Sequence, residues 1–408
     1  MRYIVRRFHI LPALVVTALI GGSAAVAAQD SRSQQKRAVV IPQEVIIELQ
    51  RLAHETFGDE AFKDLSREIT RAMQNLGREL GHVNGPGFQP GPWMQDKDYK
   101  FEQTDRQTKT LAIGGNGSLE LRNVIGDITV KAGGGREASV EIVRVSRGRT
   151  EADAKLGLER VTAEVTSRGD RATVIAEYPN ERRPNYFVSV AYNVTAPAGA
   201  RVLVQSITGN VTLTGIKGET SVNTTTGAVE IAQAADLTSA HTVTGKLVVR
   251  DSQGDALDIG TMNGPMQLSN IKTRRLELSA VTGNITAREI QAGGVDATCM
   301  SCEIEYSGTV TAGGRYEFQA HSGTIRLGLT GGFDFEGETF SGQVEADASL
   351  GLKPAPQTEP AAMGMKRKSL RGTVGGGGAV VEATTFSGNV KVGRTLPEAT
   401  AKKGRGGN

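Results

Sequence analysis

The chain has 408 residues, 51 glycines, 5% aromatic residues and a formal net charge of +3. Two cysteines in so long a chain exclude a small disulfide-stapled module, and the many glycines with few aromatics favour a turn-dense β protein over a helical enzyme. Residues 1–28 contain three arginines and no acidic residue, so the remainder has a formal charge of zero and gives no argument for nucleic acid as a partner.

Residues 1–28 have the layout of a secretory signal peptide. A basic start precedes an apolar stretch from Leu11 to Ile20, and small residues at 25–28 offer a cleavage site. The alternative is an uncleaved anchor. No second apolar run is long enough to cross a bilayer. We therefore expect an exported protein, periplasmic or at the cell surface, without a membrane span after signal cleavage.

Two further segments precede the β-rich part of the chain. Residues 29–83 carry apolar residues at spacings of three and four, which predicts a short helical segment, with Asp59 as an expected N-cap. This segment either packs on the protein itself or mediates self-association, so a homo-oligomer is left open. Residues 84–107 include "VNGPGFQPGPW" and are predicted to form a Pro/Gly linker.

Residues 108–205 alternate apolar and polar side chains in runs that predict long strands. A short helix, "TEADAKLGLERV", interrupts them and begins at Thr150, a residue type that caps helices well. We interpret this part as an irregular β-rich start that covers the open edge of the region from residue 206 onward.

A short phrase recurs from residue 206 to residue 393: a small polar residue, a glycine, a variable residue and an aliphatic residue. The aligned positions are Gly209, Gly227, Gly245, Gly264, Gly283, Gly323, Gly342 and Gly388, with Cys302 where one glycine is missing. Most steps between them are 18–21 residues. A fixed short period is the signature of a solenoid, and a glycine permits the positive φ that a tight corner needs.

The residues two and four after each glycine are nearly all apolar, and polar residues lie between them. This alternation predicts short strands with one buried face. The fold class we expect is therefore all-β: a parallel β-solenoid, β-helix-like, of about nine 18–21-residue coils with two short strands each. Residues 352–378 exceed one period and are predicted to be a flexible insertion, and residues 394–408 a disordered tail.

The recurring phrase, the leader peptide and the β-rich segment before the repeats resemble the bacterial putative-adhesin family, whose members are exported β-solenoid domains of unknown function. The resemblance covers about Thr108 to Val392. Members often carry Asp after the corner glycine, and only Asp127 does so here. The resemblance implies a binding or scaffold role at the cell envelope and supplies no catalytic residue.

Few residues are candidates for chemistry. Cys299 and Cys302 form a C-x-x-C, for which a structural disulfide, free structural thiols and a redox or metal role remain open; no nearby ligands complete a tetrahedral metal site. His321 is expected to be a partly buried core histidine. Glu303 and Glu305 form the densest acidic pair, but both lie on one strand without a facing partner. We expect no catalytic residue, no cofactor and no metal site.

Three functions are weighed. The first is a non-enzymatic, adhesin-like binding or scaffold protein of the cell envelope, with an unknown envelope glycan or protein as its partner. The second is a polysaccharide-acting β-helix enzyme, which needs converging carboxylates on adjacent coils. The third is a self-assembling solenoid.

Overall fold

A computed structural model of the chain describes residues 99–179, 184–354 and 368–396. The predicted signal peptide, the helical segment, most of the linker and most of the tail lie outside these residues. All the described residues belong to the second of the two compact units of the chain, Glu55–Asn408.

The described residues form 24 strands and one α-helix. The first strands are β1 (Phe101–Leu111), β2 (Ser118–Ile125), β3 (Ile128–Gly133), β4 (Ala138–Gly148), β5 (Thr162–Arg168), β6 (Arg171–Glu177), β7 (Tyr186–Pro197), β8 (Arg201–Thr208), β9 (Val211–Thr214), β10 (Glu219–Thr226), β11 (Val229–Ala232) and β12 (Asp236–Thr244). The others are β13 (Leu247–Asn263), β14 (Met266–Thr282), β15 (Ile285–Ser301), β16 (Ile304–Thr309), β17 (Arg315–Ser322), β18 (Ile325–Thr330), β19 (Phe333–Ser341), β20 (Val344–Ala346), β21 (Lys353–Pro354), β22 (Lys368–Val374), β23 (Ala379–Ser387) and β24 (Val390–Gly393).

The helix, α1 (Glu151–Arg160), is the one predicted from the sequence. Thr150 is its N-cap: the Thr150 side chain accepts a hydrogen bond from the backbone N–H of Asp153, and the Asp153 carboxylate accepts one from the N–H of Thr150. This capping box satisfies two backbone donors that the first helical turn leaves open. A 3-10 turn, Ala348–Leu350, is the other short helical element in the described region.

The strands are connected into two mostly parallel ladders. Ladder A has the spatial order β5, β6, β2, β8, β10, β12, the second halves of β13, β14 and β15, then β17, β23, β19, β22 and β21. Ladder B has the order β1, β4, β7, β3, β9, β11, the first halves of β13, β14 and β15, then β16, β18, β24 and β20. The buried side chains of both ladders belong to one hydrophobic core.

The parallel pairing follows the repeat of the sequence. Val211 lies opposite Val229, which lies opposite Leu247, and all three are fully buried. The inward slots predicted two and four residues after the corner glycines are thus confirmed here. Burying an aliphatic side chain of this size stabilises the folded state by about 1.5–3 kcal/mol.

The spatial order of the strands departs from chain order at both ends. β23 lies between β17 and β19, and β24 lies between β18 and β20. Similarly, β2 lies between β6 and β8, and β3 between β7 and β9. The first and last repeats along the chain therefore have a hydrogen-bonded neighbour on each side rather than an open edge.

Two predicted boundaries also need correction. Within the predicted insertion 352–378, Lys368–Val374 forms β22, which pairs antiparallel with β19 and packs Leu370 against the core. β1 begins at Phe101, inside the predicted linker 84–107, and pairs antiparallel with β4. β1 is an edge strand with largely exposed side chains, and β22 has a single fully buried residue, Val374, so their sequences lack the apolar alternation that reveals a half-buried strand.

Candidate functional site

The eight predicted corner glycines all have φ between +114° and +159°. In spatial order the corner runs Gly126, Gly209, Gly227, Gly245, Gly264, Gly283, Cys302, Gly323, Gly388 and Gly342. A Cβ added to Gly245 would collide with the carbonyl oxygen of Gly227, and the same clash recurs along this glycine corner. Backbone conformation and close stacking therefore both demand glycine.

A column of small side chains lies three residues before the corner positions. The Thr242 hydroxyl donates to the Gly227 carbonyl at 3.2 Å, and Thr385 and Thr339 make the equivalent bonds to Gly323 and Gly388. Ser206, Thr224 and Thr261 occupy the same position, and their buried hydroxyls have no hydrogen-bond partner in the structure. Thr242, Thr339 and Thr385 therefore bond one repeat to the next at the corner.

Cys299 and Cys302 replace this arrangement in one repeat. Cys299 occupies the small-residue position and Cys302 the glycine position, and in the structure their sulfur atoms form a disulfide with the Cα atoms 6.1 Å apart. Both cysteines are nearly fully buried. A covalent link thus stands where the two adjacent repeats have an alanine and a glycine, Ala280 with Gly283 and Ala320 with Gly323.

The residue after the corner glycine bonds to the adjacent repeat. The Asp127 carboxylate accepts from the backbone N–H of Asn210 at 2.8 Å, and the Asn210 amide oxygen accepts from the N–H of Ala228 at 3.0 Å. Asn284 and Asn389 do the same in two later repeats, with the N–H groups of Glu303 and Gln343 as donors. Because asparagine and aspartate offer the same acceptor oxygen, Asn takes in these repeats the role that Asp127 has in the first.

A second corner, not predicted from the sequence, lies six residues after the glycines. Its residues are Gly215, Gln233, Asp251, Asn270 and Glu289, with φ between +51° and +78°. Three of them lie within β13, β14 and β15, so these are continuous 17-residue strands rather than the predicted pairs of short ones. The polar residues at this fixed offset were the sequence signal for the second corner, although Gln and Glu rarely adopt positive φ.

Six acidic residues form one continuous column on the outer face of ladder A. This acidic column, in spatial order, is Asp258, Glu277, Asp296, Glu317, Glu382 and Glu336, each directly opposite the next across paired strands. Adjacent strands lie about 4.8 Å apart. Like charges placed directly opposite destabilise a sheet.

Cations reach the acidic column at its two ends. The Arg315 guanidinium contacts Glu317 and Glu382, and hydrogen bonding and charge attraction from these carboxylates raise the pKa of Arg315. Arg371 pairs with Glu336, and His241 Nε2 lies 3.4 Å from the Asp258 carboxylate.

The centre of the column is different. Among the residues that the structure describes, no Lys, Arg or His forms an ion pair with Glu277 or Asp296. Two adjacent carboxylates therefore present uncompensated negative charge on this face.

A second column, four residues nearer the corner, is largely apolar. This apolar column runs Val243, Met262, Val281, Met300, His321, Phe386 and Phe340, and all its side chains are partly or fully exposed. Phe386 is 47% exposed, and its ring stacks on that of His321 with centroids 5.2 Å apart. Phe340 lies 5.4 Å from Phe386 on the other side.

The prediction that His321 is a partly buried core residue is wrong. His321 is exposed, because the slot two before the glycine points outward although it holds apolar residues in most repeats. Apolar identity at that slot does not indicate burial.

Between these columns lies a middle column of mostly small or uncharged residues: His241, Gly260, Ser279, Thr298, Gln319, Thr384 and Glu338. At Gly260 an added Cβ would meet the side chains of Ser279 and His241. The three columns together form the outer face of ladder A.

The outer face of ladder B carries mixed and paired charges. Glu305 is bonded by Arg288 at 3.0 Å and lies 3.5 Å from Arg326, which also pairs with Glu303 at 2.9 Å. Lys391 pairs with Glu345. Glu303 and Glu305, the densest acidic pair in the sequence, are therefore neutralised by arginines and do not converge on an open site.

One shallow polar cavity of about 320 Å³ opens near the start of ladder A. It is lined by Asp170, Glu219 and Asp236 together with Arg171 and Arg201, and Arg201 pairs with Glu219 at 2.8 Å. No described residues form a group of three or more His, Cys, Asp or Glu side chains suited to a metal ion. A search of the same residues finds no helix that is both long and apolar enough to span a membrane.

Comparison with known families matches residues 116–393 to Toastrack DUF4097. The match covers more than half of the chain, so the protein belongs to the Toastrack DUF4097 family, in agreement with the resemblance to putative adhesins. A comparison with curated proteins found no match.

Solved structures to which the chain is similar include three bacterial proteins. One is a "putative lipid binding protein" from Parabacteroides distasonis, at 11% identity and a TM-score of 0.37, with 70% of this chain and 96% of that chain covered. Another is a "putative adhesin" from Bacteroides fragilis, at 10% identity and a TM-score of 0.32, with 71% and 97% covered. A third is a "putative cell adhesion protein" from Clostridium sporogenes, at 8% identity and a TM-score of 0.22, with 71% and 99% covered.

Proposed function

We propose that the protein is an exported, non-enzymatic component of the cell envelope, a parallel β-solenoid of about nine repeats that binds or scaffolds an envelope glycan or protein. The observation that carries this proposal is the outer face of ladder A, where in-register columns give a long and chemically uniform surface. Repeat proteins commonly bind through such extended faces.

The arrangement of the charged residues favours binding over catalysis. Hydrolysis or elimination on a polysaccharide needs an acid and a base that converge on one bond. Glu303 and Glu305 are tied to arginines, and the acidic column lines a flat face. The cavity with Asp170, Glu219 and Asp236 is the arrangement that an enzymatic alternative would use.

The pairing of the strands at the ends of the two ladders determines whether copies of the protein can stack end to end. In the described part of the chain, ladder A ends in the antiparallel strands β5 and β22 with β21, and ladder B begins with the antiparallel strands β1 and β4. Antiparallel strands interrupt the parallel register that end-to-end stacking would continue. Only the three-residue strand β20 ends a ladder in parallel pairing. This favours a single binding unit over a filament.

The test is a binding screen of the purified full chain against a glycan panel, peptidoglycan and isolated envelope proteins, with product analysis of each hit. We expect binding without turnover, and a loss of binding spread over several substitutions on the outer face of ladder A. Cleavage of a hit that disappears in Glu219→Gln or Asp236→Asn would replace this proposal with the enzyme. Fractionation with protease treatment of intact cells tests export and distinguishes periplasm from cell surface.

A further inference from the structure

We propose that the outer face of ladder A binds an amphipathic basic α-helix lengthwise, with its Lys and Arg side chains on the acidic column and its apolar side chains on the apolar column. This inference rests on the proposed binding function and names the partner class of that same face.

The charge pattern selects a cationic partner. Six carboxylates occupy consecutive strands, and Glu277 and Asp296 at the centre have no cation paired to them among the described residues. A partner that brings positive charge relieves the repulsion between neighbouring carboxylates and forms charge-assisted hydrogen bonds. A partner that brings negative charge adds to the repulsion.

The apolar column requires the partner to be amphipathic. Val281 and Met300 lie beside Glu277 and Asp296 on the same two strands, four residues along, and Phe386 stands exposed further up the column. Four residues of a strand span about 13 Å, close to the 10–12 Å diameter of an α-helix with its side chains. A single helix above the small residues Ser279 and Thr298 would therefore reach both columns.

The repeat distance favours a helix over an extended segment. Carboxylates follow one another every 4.8 Å or so along the column. A helix presents side chains on one flank every 5.4 Å or so, one per turn, whereas alternate side chains of a strand lie about 6.7 Å apart. The column spans about 24 Å, which a helix of about 16 residues matches.

Other occupants fit less well. A second copy of the same face has no cationic column to place against the acidic one. Anionic polysaccharides and anionic lipid surfaces are repelled. For a neutral sugar, one stacking surface of each ring is covered, because the rings of His321 and Phe386 are parallel and face each other.

The experiment measures fluorescence anisotropy of labelled peptides with the full chain. The probe is a helical peptide of about 20 residues with one Lys per turn on one flank and Leu on the adjacent flank. Three matched peptides carry Glu for Lys, Ser for Leu, or two central prolines that prevent the helix. The face variant is Glu277→Gln with Asp296→Asn, and a second is Met300→Gln. The control variant, Glu230→Gln with Glu345→Gln, removes the same charge from ladder B.

We expect saturable binding of the basic amphipathic helix that weakens with added salt, at least tenfold weaker binding to the face variant, and a change under twofold in the control. The three altered peptides should bind at least tenfold more weakly than the probe. Absence of binding at low salt, equal loss in the control, or equal binding of the proline peptide overturns the proposal. Loss of dimerisation by Met300→Gln in sedimentation measurements would overturn it in favour of a second copy.

The two proposals fail in different ways. If the full chain binds a glycan or envelope protein but not the helical probe, the helix proposal falls and the binding function stands. If neither the probe nor any envelope component binds, both fall.

Discussion

The outer faces of ladders A and B are built from the same repeat, yet they handle charge in opposite ways. On ladder B, acidic and basic residues lie near one another and form ion pairs, as Glu305 does with Arg288 and Arg326. On ladder A, six acidic residues follow one another without interruption. Stacking determines the inward side chains of both ladders but not the outward ones.

The difference indicates that the outer face of ladder A has a role beyond folding. Paired charges on an exposed sheet are neutral to mildly stabilising. Two unit charges about 5 Å apart in water repel by about 1 kcal/mol before screening, so the centre of the acidic column, where Glu277 and Asp296 are adjacent, opposes folding. The stability of the stack gives no reason for it, whereas ligand binding does.

The substitution with the largest expected effect destabilises the outer faces of both ladders together, because both faces depend on one core. Ile285→Asp places a carboxylate in a fully buried slot of ladder B and should cost at least about 3 kcal/mol of unfolding free energy. The control, Asn284→Asp, keeps the acceptor oxygen that bonds the Glu303 N–H and should change stability little. Urea unfolding followed by circular dichroism measures both. Equal losses would mean that the inward register of β15 is wrong.

The next effect tests the corner that joins the two ladders. Gly245→Ala forces a side chain into a φ of +155° and against the carbonyl of Gly227, which should cost about 3 kcal/mol. Gly134→Ala is the matched control, because no atom lies within 4 Å of its added Cβ. Thermal melts should separate the two variants clearly. A silent Gly245→Ala would show that the corner is looser than its stacked glycines indicate.

Sequence periodicity predicted the buried slots because each inward residue, such as Val211 or Val229, must contact its counterpart one period away. It could not predict the spatial order of the repeats. Repeats of similar sequence can pair with any neighbour, and the position of the Gly388 repeat between those of Gly323 and Gly342 depends on how the connecting segments fold back.

The acidic column was present in the sequence but missed. Each of its residues lies six positions before a corner residue, as Glu277 does before Gly283. The prediction from the sequence was based on the polar slots that follow the glycine, and those slots do not form an acidic stack. The prediction for His321 was wrong because other repeats have apolar residues at the same slot, and outward slots on ladder A also hold apolar side chains.

Two smaller effects on stability, of opposite sign, sharpen the comparison between the two outer faces. Glu305→Gln leaves the largely buried Arg326 with Glu303 as its remaining acidic partner and should cost about 1 kcal/mol. Glu277→Gln removes repulsion and should stabilise by about 0.5 kcal/mol. Urea midpoints in low salt measure both, and both effects should shrink in high salt. Destabilisation by Glu277→Gln would mean that the acidic column is compensated by groups that the described contacts do not include.

The last expected effect is a difference of about 1 kcal/mol between two variants of the one repeat whose corner is covalent. Cys299→Thr with Cys302→Gly installs the pair that the Gly245 repeat uses, where Thr242 donates to the carbonyl of Gly227. Losing a short disulfide loop costs about 2 kcal/mol, and the new hydrogen bond returns about 1 kcal/mol. The net loss should be near 1 kcal/mol, while Cys299→Ala with Cys302→Ala should lose the full amount. Melts of both variants, with and without reductant, test this. If the Thr–Gly pair is no more stable than the double alanine, the hydroxyl does not substitute for the disulfide at this corner, and the two kinds of corner are not equivalent.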